Sequence, residues 1–202
     1  MNDIDTIIVM GRSGSGKGTQ VALLKDYLTK TLPGTELFHF ESGQHFRSFI
    51  KEDGYTNELM RDILGSGNLA PDFITEWFLV NALVNRLKKD DQILILDGFP
   101  RTVNQAMTLD SAMAYYQRSK VVVINVAVSD DVARERMKGR GRADDQDDVI
   151  ERRIEWYNEN VVPTIDYLKN HDLYTVYDID GEQSVEGVHA AIIEVLSSLN
   201  NN

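Results

Sequence analysis

Residues 11–20 read GRSGSGKGTQ. The general phosphate-binding loop is G-x-x-x-x-G-K followed by Ser or Thr, whose hydroxyl goes to magnesium. Gly11, Gly16 and Lys17 fit, but Gly18 stands where the hydroxyl belongs and Thr19 brings one a place late. The stretch follows an apolar run and opens a helical pattern, the order such a loop demands. Glycines at 11, 14, 16 and 18 are expected to let the backbone curl so that successive N–H groups meet phosphate oxygens. The helix adds its positive end and Lys17 a point charge. The competing reading is a flexible Gly/Ser turn.

Outward from the loop, apolar and β-branched runs recur at Thr6–Met10, Glu36–Phe40, Ile93–Leu96, Val121–Val126 and Tyr174–Tyr177. Near-continuous runs of this kind predict strands buried on both faces. Helical patterns cover Lys17–Leu28, several pieces of Phe46–Arg86, Val103–Tyr116, Asp130–Lys138, Asp148–Asn170 and Val185–Leu199. Alternation of the two predicts an α/β fold, a five-stranded parallel sheet with helices on both faces. The stretch from Phe40 to Ile93 is too long for one crossover and reads as a helical insertion over the carboxyl ends of the strands. Pro71 is expected in the first turn of its long helix.

The chain has 202 residues and no cysteine, which removes disulfides and thiolate zinc sites. That fits a reducing compartment, so a cytoplasmic, zinc-free protein is expected. Net charge is −11, which argues against a general nucleic-acid binder. Hydrophobic residues make up 42% and charged ones 26%, the balance of a soluble globule. No apolar run is long enough to span a membrane, and the first residues are acidic where a signal peptide would be basic. Even so, 7 of the 21 Lys and Arg lie between Arg134 and Arg153, which suggests a small anionic ligand or, more plainly, a solvated helix face.

A second half-site is LILDGFPRTVNQA, residues 94–106. Asp97 ends a buried strand, where a carboxylate is costly unless it pairs or holds a metal. Gly98 permits a close approach, Arg101 offers a planar fork for a phosphoryl group, and Gln105 can read a base edge with paired donor and acceptor.

Together these two stretches resemble the adenylate kinase family of nucleoside monophosphate kinases. SGQHFR (42–47) resembles its T-G-D-x-x-R segment and GNLAPD (67–72) its G-x-L-V-P-D turn. RERMKGRGRADD (134–145) and ERRIEWY (151–157) resemble its arginine-bearing lid segments, and DGEQSVEGV (180–188) the turn beside the donor adenine. The resemblance covers nearly the whole chain and includes the spelling G-K-G-T. It implies transfer of a phosphoryl group from Mg-ATP to AMP, giving two ADP, by a P-loop kinase that acts as a monomer.

By that likeness Gly14, Ser15, Gly16, Lys17, Gly18 and Thr19 wrap the ATP phosphates, and Asp97 holds magnesium through water. Arg136, Gln183 and Val185 border the donor adenine. Arg47 and Arg101 grip the AMP phosphate. Ser42, Gly43, Asn68, Leu69, Ala70, Gly98, Phe99, Pro100 and Gln105 frame the acceptor. Arg140, Arg142 and Arg153 reach the phosphates when the lid closes. One domain, 1–202, is implied, with a monophosphate-binding insertion at 41–72 and a very short lid at 140–148.

Several positions depart from the family pattern. Glu41 replaces a small polar residue, Ser42 a Thr and Gln44 an Asp, so a weaker hold on magnesium is expected. Arg12-Ser13 stands for two prolines, which suggests a more flexible loop shoulder. Arg140 and Arg142 are closer together than in the usual short lid, which bears on their separate roles. UMP/CMP kinases, with Ala at the Ser42 position and Asn at Thr102 and Gln105, are the alternative acceptor class; here Thr102 and Gln105 favour AMP. A nucleotide-binding regulator without catalysis is the alternative from another class. Trp77 and Trp156 read as packing residues, and the four histidines show no metal-ligand spacing. The acidic run 144–148 reads as a cap for the following helix or a partner for lid arginines.

Overall fold

Strand β1, Thr6–Met10, is buried at every position and runs through the middle of the molecule. The computed structural model describes residues 4–88, 92–141 and 146–199. Among them, β1 is joined by β2 (Glu36–Glu41), β3 (Gln92–Asp97), β4 (Val121–Ala127) and β5 (Tyr174–Asp180). The sheet order is β2-β3-β1-β4-β5, and every pairing is parallel. The expected fold class is therefore what the chain adopts.

The period of two along each strand divides the apolar side chains between two layers. Ile8, Met10, Leu94, Leu96, Val121 and Val123 face one way, into a core that also holds Phe38, Phe40 and Phe99. That layer is closed by α4 (Asp72–Arg86), α5 (Val103–Tyr115) and α8 (Val162–Lys169). Ile7, Val9, Ile93, Ile95, Val122 and Ile124 face the other way. Their cover is α1 (Lys17–Thr31), through Val21, Leu24 and Leu28, and α9 (Val185–Ser198), through Val188, Ile192 and Leu196.

Between β2 and β3 the chain forms α2 (Ser42–Phe49), α3 (Tyr55–Gly65) and then α4. These helices share a small core of Phe46, Met60, Ala70 and Ile74. A further cluster packs α6 (Asp130–Arg140) on α7 (Asp147–Trp156), through Ala133, Met137, Ile150 and Ile154.

Four details differ from expectation. The helix expected over Asp148–Asn170 is interrupted: α7 ends at Trp156, residues Tyr157–Val161 form a π-helical turn, and α8 begins with Pro163 near its start. Pro163 has no N–H to give to the preceding turn, and a widened turn accommodates the missing bond. Pro71 caps α4 from an extended conformation (φ −55°, ψ 141°) and does not occupy its first turn. β5 runs three residues past the expected Tyr177, paired with β4 as far as Ala127 and Asp180, and Asn125 on β4 donates to Asp178 across the ladder at 2.8 Å. Trp77 is 55% exposed, on a stripe of α4 with Phe73, Val80 and Val84 that faces away from the sheet. Among the described residues no helix is long and apolar enough to cross a membrane.

Candidate functional site

The loop after β1 leaves the centre of the sheet at its carboxyl edge. Gly11, Gly14 and Gly16 take positive φ (142°, 85° and 87°), and at two of them a side chain has no room. A Cβ on Gly11 would lie 2.6 Å from the Val126 carbonyl oxygen, and one on Gly14 would lie 2.6 Å from that of Ala133. Gly18 does not take part in the curl. It is the second residue of α1, with open space where its Cβ would be. Its use is as a first-turn N–H with no intrahelical acceptor and no side chain in the way.

Arg12 is not a loose shoulder. Its guanidinium pairs with Asp130 at the start of α6, donates to Asn158 at 3.3 Å and lies 4.6 Å from the centre of the Tyr157 ring. The loop is thus tied to α6 and to the π-helical turn.

Lys17 projects from α1 toward Asp97, with Nζ 3.9 Å from a carboxylate oxygen. Burial pushes the Lys17 ammonium below the ordinary lysine range; Asp97 opposes that shift, and Arg101 and Arg140 add to it. Asp97 ends β3 at 7% exposure and pairs in register with Glu41, the last residue of β2. Oxygens of Asp97 and Glu41 and a ring nitrogen of His39 all lie within 4.8 Å of one another. Two carboxylates at the phosphate end of a buried strand suit a hydrated magnesium ion, which takes oxygen ligands and keeps most of its water. Gln44, by contrast, is exposed on α2.

Arg101 is held from beneath. Its Nε donates to the Gly98 carbonyl at 2.8 Å and its Nη2 to the Ser42 hydroxyl at 3.1 Å. Ser42 donates in turn to the Gly98 carbonyl at 2.9 Å. Gly98 has φ 71°, and its Cβ would fall 3.1 Å from both Ser42 Oγ and Arg101 Nη2. Ser42 is 1% exposed and supports the arginine from below. Gln105 is likewise buried at 1%. Its amide donates to Asp72 at 2.8 Å and accepts from the Arg101 main chain at 2.9 Å. Asp72 also accepts from Thr102 at 2.9 Å and Asn104 at 3.3 Å, and so joins the starts of α4 and α5.

Two adjoining clefts open above this frame. One, of about 640 Å³, is lined by the loop, Glu41, Asp97 and Arg136. The other, of about 420 Å³, is lined by Phe46, Arg61, Gly67, Asn68, Arg153 and Trp156. Both are bordered by Arg47, Arg101 and Arg140. Arg47 rests on Glu41 at 2.5 Å, and a side chain on Gly43 would sit 2.9 Å from its guanidinium. Arg136 donates to the Gly181 carbonyl at 2.8 Å, which sets it beside the turn leading to Gln183 and Val185.

A family model described as adenylate kinase matches residues 9–173. Adenylate kinases of Corynebacterium urealyticum, Leuconostoc mesenteroides and a Mycobacterium species are 34%, 33% and 36% identical to the chain. The alignments cover 93%, 96% and 94% of this chain and 96%, 98% and 98% of those proteins. The chain belongs to the adenylate kinase family.

Most of the residues singled out by the adenylate kinase resemblance are brought together. Gly14–Thr19, Arg136 and Asp97 border the first cleft, Asn68 and Arg153 the second, and Gly43, Arg47, Arg101 and Arg140 both. Others are placed differently. Phe99 is fully buried against Phe40 in the sheet core, so only its main chain can meet a ligand. Ala70 belongs to the core of the insertion, and Leu69 is half-buried beside it. Pro100, after a cis peptide bond, lines a small cavity with Lys17. The main-chain oxygen of Val185 is taken by Gln20 at 2.9 Å, and Gln183 donates to the Asp180 carbonyl at 3.4 Å. Arg142, Asp144 and Asp145 lie outside the described residues, so the tip of the short lid does too.

Sequence reasoning missed Arg61, Asp72 and Trp156. Arg61 donates to the main chain at Ile50 (2.7 Å) and Glu52 (3.0 Å) and holds the end of α2. An Asp after a Pro signals a helix start, and only the fold reveals what else Asp72 holds.

Proposed function

We propose that the protein transfers the terminal phosphoryl group of Mg-ATP to AMP, reversibly, giving two ADP. The observation that carries this reading is a pair of clefts meeting at Arg47, Arg101 and Arg140, with Lys17 and Asp97 beneath. Such an arrangement suits two polyanions whose phosphates meet end to end.

Donor and acceptor lie on either side of those arginines. Gly14, Ser15, Gly16, Gly18 and Thr19 offer main-chain donors to the ATP phosphates, and Lys17 holds the transferring end. Arg136, with the Gln183–Val185 turn, borders the donor base. Arg47 and Arg101 hold the acceptor phosphate, and the Asn68–Ala70 turn frames its base, on an insertion that spans 41–72. Gly98, Phe99 and Pro100 contribute main chain, while Ser42 and Gln105 keep Arg101 in place. Glu41 is displaced from Arg47 when the acceptor phosphate arrives.

An acceptor phosphate oxygen attacks the terminal phosphorus of ATP in line. The bond to the bridging oxygen breaks, and its electron pair leaves with ADP. No side chain need accept a proton, so the residues act by alignment and charge. Asp97 and Glu41 would hold the magnesium that comes with ATP, and the ion would supply further neutralisation of the phosphates. Arg140 and Arg142, in a lid at 140–148, and Arg153 on α7 reach the phosphates when the lid closes, and exclusion of water limits hydrolysis. The working unit proposed is a monomer in the cytoplasm, as the resemblance implies.

A panel of Mg-ATP with AMP, dAMP, CMP, UMP and GMP, followed by diphosphate formation, tests the reading. AMP is expected to be the best acceptor. Turnover of CMP or UMP without AMP would replace it with the pyrimidine alternative, and ATP binding without any transfer would leave a regulator.

A further inference from the structure

Trp156, the last residue of α7, stands between two parts of the acceptor cleft that the chain supplies from distant places. Its indole N–H donates to the Gly67 carbonyl at 2.9 Å, on the turn between α3 and α4. Its ring carries the Arg101 guanidinium 5.7 Å from the centroid. The ring itself is half-buried and borders the cleft.

The turn is pressed onto α7 at a second point. Gly67 has φ 79°, and a Cβ there would lie 2.9 Å from a Val149 methyl. Backbone and helix meet too closely for any side chain but hydrogen, and the indole supplies the polar contact in the same seam. Arg101 is fixed below by Ser42 and Gly98, and the Trp156 ring stands within cation–π range of it. Of the aromatic rings, indole is the best partner for a guanidinium, and it also has an N–H to give to a carbonyl. Phenylalanine could do only the first.

We propose that Trp156 is a positioning residue specific to the acceptor side, which sets the distance between the acceptor-phosphate arginine and the acceptor-base turn. The proposal rests on the functional reading above. It predicts an effect on the monophosphate and not on ATP, because the indole's own contacts go to Gly67 and Arg101, while the donor loop is held by Arg12, through Asp130, Tyr157 and Asn158, and by the glycine contacts.

The test uses the full chain with exposed Trp77 replaced by Phe, so that Trp156 is the only indole. Trp156→Phe and Trp156→Leu are made on that background. Losing one hydrogen bond should raise the AMP KM about threefold in Trp156→Phe, with kcat and the ATP KM held within about twofold. Losing the ring as well should raise the AMP KM about tenfold in Trp156→Leu and lower kcat, again sparing ATP. In the Trp77→Phe protein, AMP should change the Trp156 emission saturably. Unchanged AMP constants in both variants overturn the proposal, as does an equal rise for ATP and AMP.

Calorimetric titration with AMP separates this proposal from the functional reading. If no monophosphate is phosphorylated, that reading falls. About tenfold weaker AMP binding by Trp156→Leu still supports the positioning role, and equal binding, or no AMP binding to the Trp77→Phe protein, overturns it. If circular dichroism shows Trp156→Leu unfolded, the Trp156→Phe comparison decides.

Discussion

Arg101 engages Nε and Nη2 with the protein, which orients the guanidinium before any ligand arrives. Truncation at Arg101→Ala should therefore cost about 3 kcal/mol of transition-state stabilisation, read as a fall in kcat/KM for AMP with the ATP KM little changed. An unchanged kcat/KM would remove Arg101 from the machinery. Lys17 makes a pH prediction. Its working form is the cation, and burial lowers its pKa, so the cation is lost at lower pH than in an ordinary lysine. The alkaline limb of kcat/KM, which reports the free enzyme, should fall below the ordinary lysine range. A profile flat through that range would show that Lys17 stays charged or is dispensable. At this scale the sequence carried identity well and context poorly. Lys17, Asp97 and Arg101 were legible because each is an expensive or fork-shaped group placed at a strand end or loop. Gln105 was legible as a reader of bases, yet its amide is turned inward to Asp72, a partner 33 positions away.

The elements show the same division. The strands stood out because β1, β3 and most of β4 are buried on both faces and so are apolar without alternation. The last residues of β5 did not, since Asp178 and Asp180 are polar and exposed on an edge strand. The π-helical turn left no periodic signal beyond Pro163, because a turn widened by one residue only shifts the phase of a helical pattern. The Arg12 ties link the loop to α6 and the π-helical turn. Arg12→Ala should raise the ATP KM a few-fold and leave the AMP KM alone; equal changes in both would mean that the ties serve the whole cleft. At the opposite end of the sheet Asp110 on α5 accepts from the hydroxyls of Tyr167 on α8 (2.5 Å) and Tyr174 on β5. The hydrogen bond to Asp110 pushes the Tyr167 hydroxyl up to about 12. Asp110→Asn should lower unfolding stability by about 1–3 kcal/mol in urea, with kcat preserved, because this cluster binds elements together far from the clefts. A loss of activity at full stability would contradict that separation.

As a whole, the molecule carries a net charge of −11 yet gathers Lys17, Arg47, Arg101, Arg136 and Arg140 around one cleft. An anionic ligand is repelled by the body and attracted by the site, and the two fields are screened over about 10 Å at 0.1 M salt. Raising ionic strength should increase both nucleotide KM values while kcat changes little; KM values indifferent to salt would mean that close contacts alone hold the nucleotides. The sheet order has a consequence for the newly made chain. β1 leaves the ribosome before its neighbours β3 and β4, whose pairing with it begins at Leu94 and Val121. Synthesis must reach Ala133 before the phosphate loop gains the Val126 and Ala133 backbone that shapes it. Until β3 emerges, β1, apolar on both faces, is an unpaired strand that calls for protection, and until Ala133 follows, the loop lacks the backbone that shapes it.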